Sequence, residues 1–239
     1  MNIRGIIFDN WNTLVQAPNL MRTGSSTAFF HNSFKNNNFN VDFDRYIEEY
    51  GLVARKQMME AEMYNWREMD YIGRLRSVLE RLGVQEPTRG ILARRAWSDY
   101  LTEWPRQTHF FPETLRVLNR LKGYYKLGVL TNFMDGPTAR QIFKILEYEK
   151  YFQSLVVSAE VGYMKPSPIV FLRSMNELDL GANECVMVGD TYNTDIVGAH
   201  KVGIKGVLID SDGTQKEHHN ECEMVISNIG NFLETLKSL

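Results

Sequence analysis

Residues 186–203 read VMVGDTYNTDIVGAHKVG, and this stretch decides which fold the chain adopts. A short apolar run ends at Gly189, a carboxylate follows at Asp190, and a second carboxylate, Asp195, stands five residues later at the start of a helical pattern. Such a run is typical of a strand buried on both faces, as in a parallel sheet. Two carboxylates around one turn suit an oxygen-binding cation such as Mg²⁺, although Asp195 can also cap the following helix.

Apolar runs of the same kind recur along the chain. They stand at residues 4–8, 126–130, 155–158, 185–188 and 205–209, with a weaker one at 224–226. Amphipathic helical patterns lie between them, over residues 112–121, 138–146 and 167–177. Strands that alternate with helices of this length predict an α/β fold, in which a doubly wound, Rossmann-like parallel sheet carries helices on both faces.

Residues 17–107 interrupt this alternation. They contain helical patterns, the clearest at residues 42–63, 71–82 and 90–104, and no convincing strand. We therefore expect two domains, an α/β core formed by residues 1–16 and 108–239 and an inserted α-helical domain formed by residues 17–107. Pro18 and the segment 105–112 are the expected hinges, because proline disfavours helix and favours turns.

Polar residues that directly follow the apolar runs are the first candidates for a site. In a doubly wound sheet the ligand binds at the carboxyl ends of the strands. The residues in these places are Asp9, Thr131, Ser158 and Asp190. Asp9 lies in IIFDNWNTLV (residues 6–15), where a carboxylate can attack phosphorus or carbon and form a covalent intermediate, or can simply cap a turn.

Three residues carry groups that suit an anion. Lys165 stands in GYMKPSP (residues 162–168), where Pro166 disfavours helix. Its ammonium can neutralise clustered carboxylates and a substrate anion, or it can be ordinary solvated surface. Thr131 and Asn132 end a predicted strand with short donors that suit phosphate oxygens, or they simply end the strand.

These four features, in this order, resemble the haloacid dehalogenase superfamily of hydrolases. The resemblance covers residues 1–15 and nearly all of residues 124–236. It implies that Asp9 is the catalytic nucleophile. Thr131 and Lys165 then hold and stabilise the transferring group, and Asn132 adds a substrate contact. The inserted helical domain is then similar to the family's cap domain, which closes over the site and supplies substrate contacts.

The resemblance also implies a bound Mg²⁺ ion. Asp9 and Asp190 are then carboxylate ligands, and Asp195 supports them. The family's remaining protein ligand is a backbone carbonyl, which falls on Trp11 in this sequence. Every residue type has this carbonyl, so we expect the metal site to survive the tryptophan.

Trp11 nevertheless departs from the pattern of the family's phosphatases, which usually carry a second aspartate there as general acid and base. An indole cannot exchange protons near neutral pH, so the usual protonation of the leaving group is missing. Asn12 stands where the family usually has glycine, although asparagine tolerates left-handed backbone better than most residues.

Three functions stay open at this point. The first is a Mg²⁺-dependent phosphatase that forms an aspartyl-phosphate and acts on a small phosphorylated metabolite. The second is a metal-independent 2-haloacid dehalogenase, and the third is a module that binds a phosphorylated ligand without turnover. Asp190 favours the phosphatase, because the halogen-cleaving relatives lack the equivalent carboxylate.

The overall composition limits the partners and the compartment. The 239 residues carry a net charge of −2, which favours neither nucleic acid nor an anionic membrane surface. The two cysteines, Cys185 and Cys222, are too few for a disulfide framework and fit a reducing cytoplasm. No segment resembles a signal peptide or a membrane span. Nothing in the sequence indicates an oligomeric state.

Two weaker candidates remain. The run 212–223 could bind a transition metal, although adjacent histidines on a polar loop are more often solvated; its candidate ligands are Glu217, His218, His219, Glu221 and Cys222. A group in the helical insertion could line a substrate pocket, but at helical spacing we expect most of it in the core. Its members are Met58, Met59, Met63, Tyr64, Trp66 and Arg67.

Overall fold

A computed structural model describes residues 3–16 and 25–236. The chain divides into two compact units, one formed by Met1–Gln16 with His109–Leu239 and the other by Ala17–Thr108. We call them the core unit and the helical unit. Pro18, an expected hinge, lies outside the described residues.

The core unit contains every strand of the described residues. The strands are β1 (Gly5–Phe8), β2 (Val15–Gln16), β3 (His109–Phe110), β4 (Lys126–Thr131), β5 (Ser154–Val157), β6 (Cys185–Gly189), β7 (Lys205–Ile209) and β8 (Met224–Ile226). Six of them form one parallel sheet in the order β5-β4-β1-β6-β7-β8. The predicted α/β fold with a parallel sheet is confirmed.

The helices of the described residues fall into two groups. The helical unit holds α1 (Ser25–Asn36), α2 (Phe43–Met63), α3 (Tyr71–Arg81) and α4 (Thr88–Gln107). The core unit holds α5 (Thr114–Leu121), α6 (Gly136–Ile145), α7 (Ser158–Val161), α8 (Pro168–Leu178), α9 (Val197–Lys201) and α10 (Phe232–Thr235).

The sheet is covered on both faces because neighbouring residues of a strand point to opposite sides. Ile7 belongs to an apolar cluster that contains Phe171 of α8 and Ala199 of α9. Phe8, the next residue, meets the ring of Phe152 edge-on at 6.5 Å and the ring of Phe232 at 5.8 Å. The continuous apolar runs that predicted the strands therefore reflect burial on two sides.

Strand β1 lies between the two halves of the sheet, so the strand order reverses next to it. From β1 the chain proceeds through β4 to β5 on one side of the sheet, and then through β6 and β7 to β8 on the other. Phe8 at the end of β1 is in register with Val129 of β4 and Val188 of β6. The carboxyl end of β1 is therefore the point where a doubly wound sheet binds its ligand.

A small antiparallel pair, β2 and β3, was not predicted. Val15 pairs with Phe110, and Gln16 pairs with His109. The hydroxyl of Thr114 donates to the carbonyl of Leu14 at 2.7 Å and ties α5 to the same place. The two-residue strands are too short for an apolar pattern to show them.

The expected hinge at residues 105–112 differs from the structure. Pro105 lies inside α4, which continues to Gln107, and residues 109–110 form β3. The carbonyl of Trp104 accepts both the backbone N–H and the hydroxyl of Thr108, at 3.1 and 2.7 Å. Both bonds hold the last turn of the helix beyond the proline.

The helical unit packs around aromatic side chains. Phe30 of α1 contacts Tyr100 of α4 with ring centroids 4.8 Å apart, and Trp97 of α4 stacks on Tyr71 of α3 at 5.5 Å. Helix α1 was not among the three predicted helices. The expectation that most of the methionine-rich group lies in the core is wrong, because five of its six members are exposed: Met58, Met59, Met63, Tyr64 and Arg67. Helix α2 buries only Tyr46 and Ala61, so most of its surface faces solvent.

Gly198 tests the packing between α8 and α9. A Cβ at this position would lie 2.3 Å from the ring of Phe171 and 3.1 Å from the Cα of Pro166. We expect Gly198→Ala to lower the free energy of unfolding by about 1–3 kcal/mol, as overpacking does, despite the better helix propensity of alanine. Urea unfolding would measure the loss. The control is Leu172→Ala on the exposed side of α8, with an expected change within about 0.5 kcal/mol. Unchanged stability of Gly198→Ala would contradict this packing.

Candidate active site

Three carboxylates meet at the carboxyl end of the sheet. Asp9 directly follows β1, and its N–H donates to the carbonyl of Val188 at 2.8 Å. Asp190 directly follows β6, and Asp195 lies in a wide π-helical turn before α9. One carboxylate oxygen of each aspartate lies within 4.8 Å of the others. Within residues 3–16 and 25–236 this is the only group of three or more histidine, cysteine, aspartate or glutamate side chains that is placed to hold a metal ion.

A buried lysine joins two of these carboxylates. The Nζ atom of Lys165 lies 2.5 Å from Oδ1 of Asp9 and 2.6 Å from Oδ1 of Asp195. The three side chains are at most 8% exposed. Charged groups buried this deeply must be paired, so the position of each of the three depends on the other two.

Asn132 positions the lysine from the end of the neighbouring strand. Its Oδ1 accepts the backbone N–H of Lys165 at 2.7 Å, and its Nδ2 donates to the carbonyl of the same residue at 3.0 Å. Pro166 and Ser167 then lead into α8, which begins at Pro168. Both polar atoms of the Asn132 side chain are therefore engaged in holding the backbone of Lys165.

The turn after β6 holds Asp195 in place. Oδ2 of Asp195 accepts the N–H of Thr191 at 3.0 Å, and the N–H of Asp195 donates to the carbonyl of Thr191 at 2.8 Å. A Cβ at Gly189 would lie 2.3 Å from this same Oδ2. Glycine at the end of β6 therefore makes room for the carboxylate.

Asn12 supports Asp190 from the loop after β1. Its backbone is left-handed, with φ of 59°, as the tolerance of asparagine for this conformation predicts. Its side chain lowers the pKa of the Asp190 carboxyl, and the hydroxyl of Thr191 donates to that carboxylate at 3.3 Å.

The pKa values of the cluster show how closely its charges balance. Burial, with smaller contributions from the charges of Asp195 and Asp190, raises the pKa of Asp9 to about 8 against the opposing effect of Lys165. Burial, followed by repulsion from Asp195, raises the pKa of Asp190 to about 6. Burial alone would lower the pKa of Lys165, but its attraction to Asp195 and Asp9 outweighs burial and raises it. The ammonium therefore stays charged, and it does not neutralise the whole cluster.

Three buried polar atoms, at the end of β4 and in the segment that follows β1, have no hydrogen-bond partner within the described part of the chain. They are Oγ1 of Thr131, Oγ1 of Thr13 and Nδ2 of Asn10. Thr131 is the last residue of β4, next to β1 in the sheet, and is fully buried. Buried polar groups are rarely left unpaired, so these atoms are candidates for contact with a bound ligand.

Asn10 and Tyr148 are two site neighbours that sequence reasoning missed. The Tyr148 hydroxyl donates to Oδ1 of Asn10 at 2.6 Å, and the Tyr148 ring stacks on Phe143 at 4.9 Å. Burial, and then the charge of Asp9, raise the pKa of Tyr148 well above its ordinary value. The partners are 138 residues apart, and no local pattern connects them.

The side chain of Trp11 packs within the core unit. It is 4% exposed, and its ring centroid lies 5.2 Å from that of Phe133. Ser158, another candidate at a strand end, is also buried, and its hydroxyl accepts the N–H of Phe133 at 3.0 Å. Both residues therefore shape the loop after β4.

The histidines of the run 212–223 have protein partners. His218 stacks on Tyr192 with centroids 3.9 Å apart, and Nε2 of His219 lies 2.7 Å from Oδ2 of Asp210. Neither belongs to the acidic group placed to hold a metal ion.

A doubly wound sheet with an aspartate after its first strand, a buried lysine and two further aspartates defines a class of hydrolase. The family model for haloacid dehalogenase-like hydrolases matches residues 3–203. The chain belongs to this family, as the motifs indicated.

Several relatives are phosphatases by name. A glyceraldehyde 3-phosphate phosphatase of Methanothermobacter thermautotrophicus is 34% identical over 110 residues, which are 45% of this chain and 47% of that protein. The human N-acylneuraminate-9-phosphatase is 36% identical over 38% of this chain and 37% of its own length. These matches span about half or less of the relatives' length. A ribulose-1,5-bisphosphate 5-phosphatase of Halopiger xanaduensis is 27% identical over 88% of this chain and 87% of that protein.

Solved structures share the fold over nearly the whole chain. A 2-haloacid dehalogenase from Pseudomonas syringae pv. Tomato DC3000 superposes with a TM-score of 0.76 at 22% identity, covering 99% of each chain. The HAD-hydrolase YfnB from Bacillus subtilis, in a magnesium-bound form, does so with a TM-score of 0.68 at 17% identity, also covering 99% of each. No helix within residues 3–16 and 25–236 is long and apolar enough to cross a membrane.

Removing divalent cations should make stability depend on pH through the aspartates. The pKa values of Asp9 and Asp190 are about 8 and about 6 in the folded state, above their unfolded values near 3.9. Protonation of these carboxyls therefore stabilises the fold below about pH 4, and this contribution is lost as the pH rises through about 6 and about 8.

Asp9→Asn removes one of the two carboxyl groups whose pKa values are raised. In EDTA we expect the variant to gain stability relative to the wild type between about pH 5 and about pH 8, because the amide cannot ionise. Urea unfolding at several pH values measures the difference. A difference that stays constant with pH would show that Asp9 ionises normally in the folded protein.

Proposed function

We propose that this chain is a Mg²⁺-dependent phosphatase that acts on a small phosphorylated metabolite through an aspartyl-phosphate at Asp9. The observation that carries the proposal is the buried ammonium of Lys165 between Asp9 and Asp195, with Asp190 beside them. A nucleophilic carboxylate next to a fixed cation is suited to attack an anionic phosphoryl group. Phosphatase relatives and membership of the hydrolase family support this choice.

The acidic cluster fits Mg²⁺. Its donors are carboxylate oxygens, which this ion prefers, and a divalent cation would offset the burial and the mutual repulsion that raise the pKa values of Asp9 and Asp190. Asp9, Asp190 and the backbone carbonyl of Trp11 would hold the ion. Asp195 would add negative charge while its oxygens hold Lys165 and the turn at Thr191. When bound, Mg²⁺ neutralises charge on the phosphoryl oxygens.

The reaction has two steps. First, a carboxylate oxygen of Asp9 attacks phosphorus, so that the new O–P bond forms as the bond to the leaving oxygen breaks. The leaving oxygen departs as an anion and takes up a proton from bulk water, since the Trp11 indole cannot supply one. Second, water attacks phosphorus as the P–O bond to Asp9 breaks, and the proton of the attacking water passes to a phosphate oxygen or to bulk water. Lys165 and the buried hydroxyl of Thr131, which has no partner in the described chain, hold the phosphoryl oxygens in both steps. Asn132 acts through Lys165 by fixing its backbone.

The acidic cluster favours phosphorus chemistry over carbon–halogen hydrolysis. A metal-independent dehalogenase gains nothing from Asp190, whose charge opposes ionisation of Asp9. A cation that binds both carboxylates removes the repulsion between them, and this gain adds to its binding free energy. The helical unit, residues 17–108, is then the cap of the enzyme and carries its substrate contacts.

A substrate panel tests the proposal. Purified protein is incubated with sugar phosphates, triose phosphates, phosphoglycolate and acyl phosphates, with Mg²⁺ or with EDTA, and inorganic phosphate is measured. A parallel series measures halide release from 2-halo acids. We expect phosphate release only with Mg²⁺, and no halide. Halide release in EDTA would point to the dehalogenase, and no turnover in either series would point to the binding module.

Asp9→Asn should abolish turnover and leave the fold intact, because an amide cannot form the covalent intermediate. We expect less than about 1% of wild-type kcat/KM, a loss of more than about 2.7 kcal/mol in barrier terms. The matched control is Asp179→Asn, whose carboxylate is 99% exposed and which should keep full activity. Higher residual activity in Asp9→Asn, with a circular dichroism spectrum like that of the wild type, would rule out Asp9 as the nucleophile.

Trp11 predicts a preference for good leaving groups. Without a general acid at this position, alkyl phosphates should react slower than aryl or acyl phosphates by roughly 10²–10⁴-fold. Trp11→Asp should speed up the alkyl substrates. Trp11→Asn is the matched control, because it makes the same cavity beside Phe133 but cannot carry the proton. Equal alkyl phosphate rates in the two variants would mean that another residue supplies the proton.

A further inference from the structure

The segment that follows β7 is hydrogen-bonded to the loop that carries Asp190. Nε2 of Gln215 donates to the carbonyl of Asp190 at 2.8 Å, and Oε1 of Gln215 accepts the N–H of Tyr192 at 2.9 Å. One side chain therefore satisfies a backbone acceptor and a backbone donor that are two residues apart. Between these two contacts, the N–H of Thr191 holds Oδ2 of Asp195.

The ring of Tyr192 is gripped by the same segment. It stacks on His218 with an interplanar angle of 2°, and its hydroxyl donates to Glu221 at 2.6 Å. Nδ1 of His218 lies 3.1 Å from the same carboxylate group. Gln215 thus fixes the backbone of Tyr192, while His218 and Glu221 fix its ring.

Gln215 is itself anchored to the sheet. Its N–H donates to Oδ2 of Asp210 at 3.3 Å, and this oxygen also lies 2.7 Å from Nε2 of His219. Asp210 directly follows β7, its side chain is fully buried, and its N–H donates to the carbonyl of Ile226 in β8. The grip on Asp190 is therefore connected to the far edge of the sheet.

We propose that Gln215 is a positioning residue for the cation site: its amide fixes the peptide turn at residues 190–192 so that the Asp190 carboxylate meets the cation. This inference rests on the proposed function. A rigid, pre-organised ligand set binds a metal more tightly than a mobile one, and groups outside the ligand set commonly provide that rigidity. An amide side chain carries a donor and an acceptor, so Gln215 can donate to the Asp190 carbonyl and accept from Tyr192 at the same time.

Two variants separate the contacts. Gln215→Met keeps the length of the side chain and loses both hydrogen bonds. Gln215→Glu can still accept from Tyr192, but it places a carboxylate oxygen against the carbonyl of Asp190. We expect the dissociation constant for Mg²⁺, measured by calorimetry without substrate, to rise about tenfold or more in both variants. At saturating Mg²⁺, kcat should fall by less than about threefold, because the reacting groups remain.

A second bridging glutamine supplies the matched control. Oε1 of Gln153 accepts the N–H of Leu127 at 2.8 Å, and its Nε2 donates to the carbonyl of Tyr151 at 3.3 Å. These contacts lie at the start of β4 and β5, at the opposite end of the strands from Asp9. Gln153→Met should lower thermal stability and leave the dissociation constant for Mg²⁺ within about twofold of the wild type.

The outcomes distinguish this inference from the proposed function. If the wild type binds Mg²⁺, Asp190→Ala abolishes binding and Gln215→Met binds as tightly as the wild type, the positioning role is wrong and the cation site stands. If the wild type binds no Mg²⁺, both fail together. If Mg²⁺ binding weakens as expected but no phosphate ester is hydrolysed, the positioning role stands and the phosphatase proposal falls.

Discussion

The ammonium of Lys165, buried between Asp9 and Asp195, is the constraint on which the rest of the site depends. Three ionisable groups out of contact with water are tolerable only if their geometry is held closely. The fold meets this requirement by bringing three separate segments to one end of the sheet. Asp9 ends β1, Asp195 precedes α9, and Lys165 is fixed before α8 by the side chain of Asn132.

Several local features follow from this pairing. Only glycine fits at position 189, because the Asp195 side chain occupies the space that a Cβ would take. Asn12 adopts a left-handed backbone in the loop where its side chain reaches Asp190. The lysine balances part of the negative charge, but burial and then the neighbouring carboxylates still raise the pKa values of Asp9 and Asp190. A divalent cation bound by these carboxylates would offset the cost of burying them and so stabilise the folded protein.

The fold was predictable from the sequence where a strand is buried along its whole length. Candidate site residues were predictable where a polar residue directly follows such a strand. Apolar runs such as residues 185–188 marked the six parallel strands, because both faces of the sheet are covered. What could not be predicted depends on contacts between distant residues. Gln215 reaches Asp190 across 25 residues, and Tyr148 reaches Asn10 across 138. The short pair β2 and β3 has no periodicity to detect, and the exposed side of α2 carries methionines that resemble a core stripe.

The central claim is that Asp9 becomes covalently phosphorylated, and trapping this intermediate tests it most directly. The protein is mixed with an acyl phosphate and Mg²⁺, quenched in acid within milliseconds to seconds, digested, and examined by mass spectrometry. The account predicts one phosphoryl group on the peptide that contains Asp9, formed before phosphate is released and lost as turnover ends. Phosphate release with no modification of that peptide, or with the phosphoryl group on another residue, would contradict it.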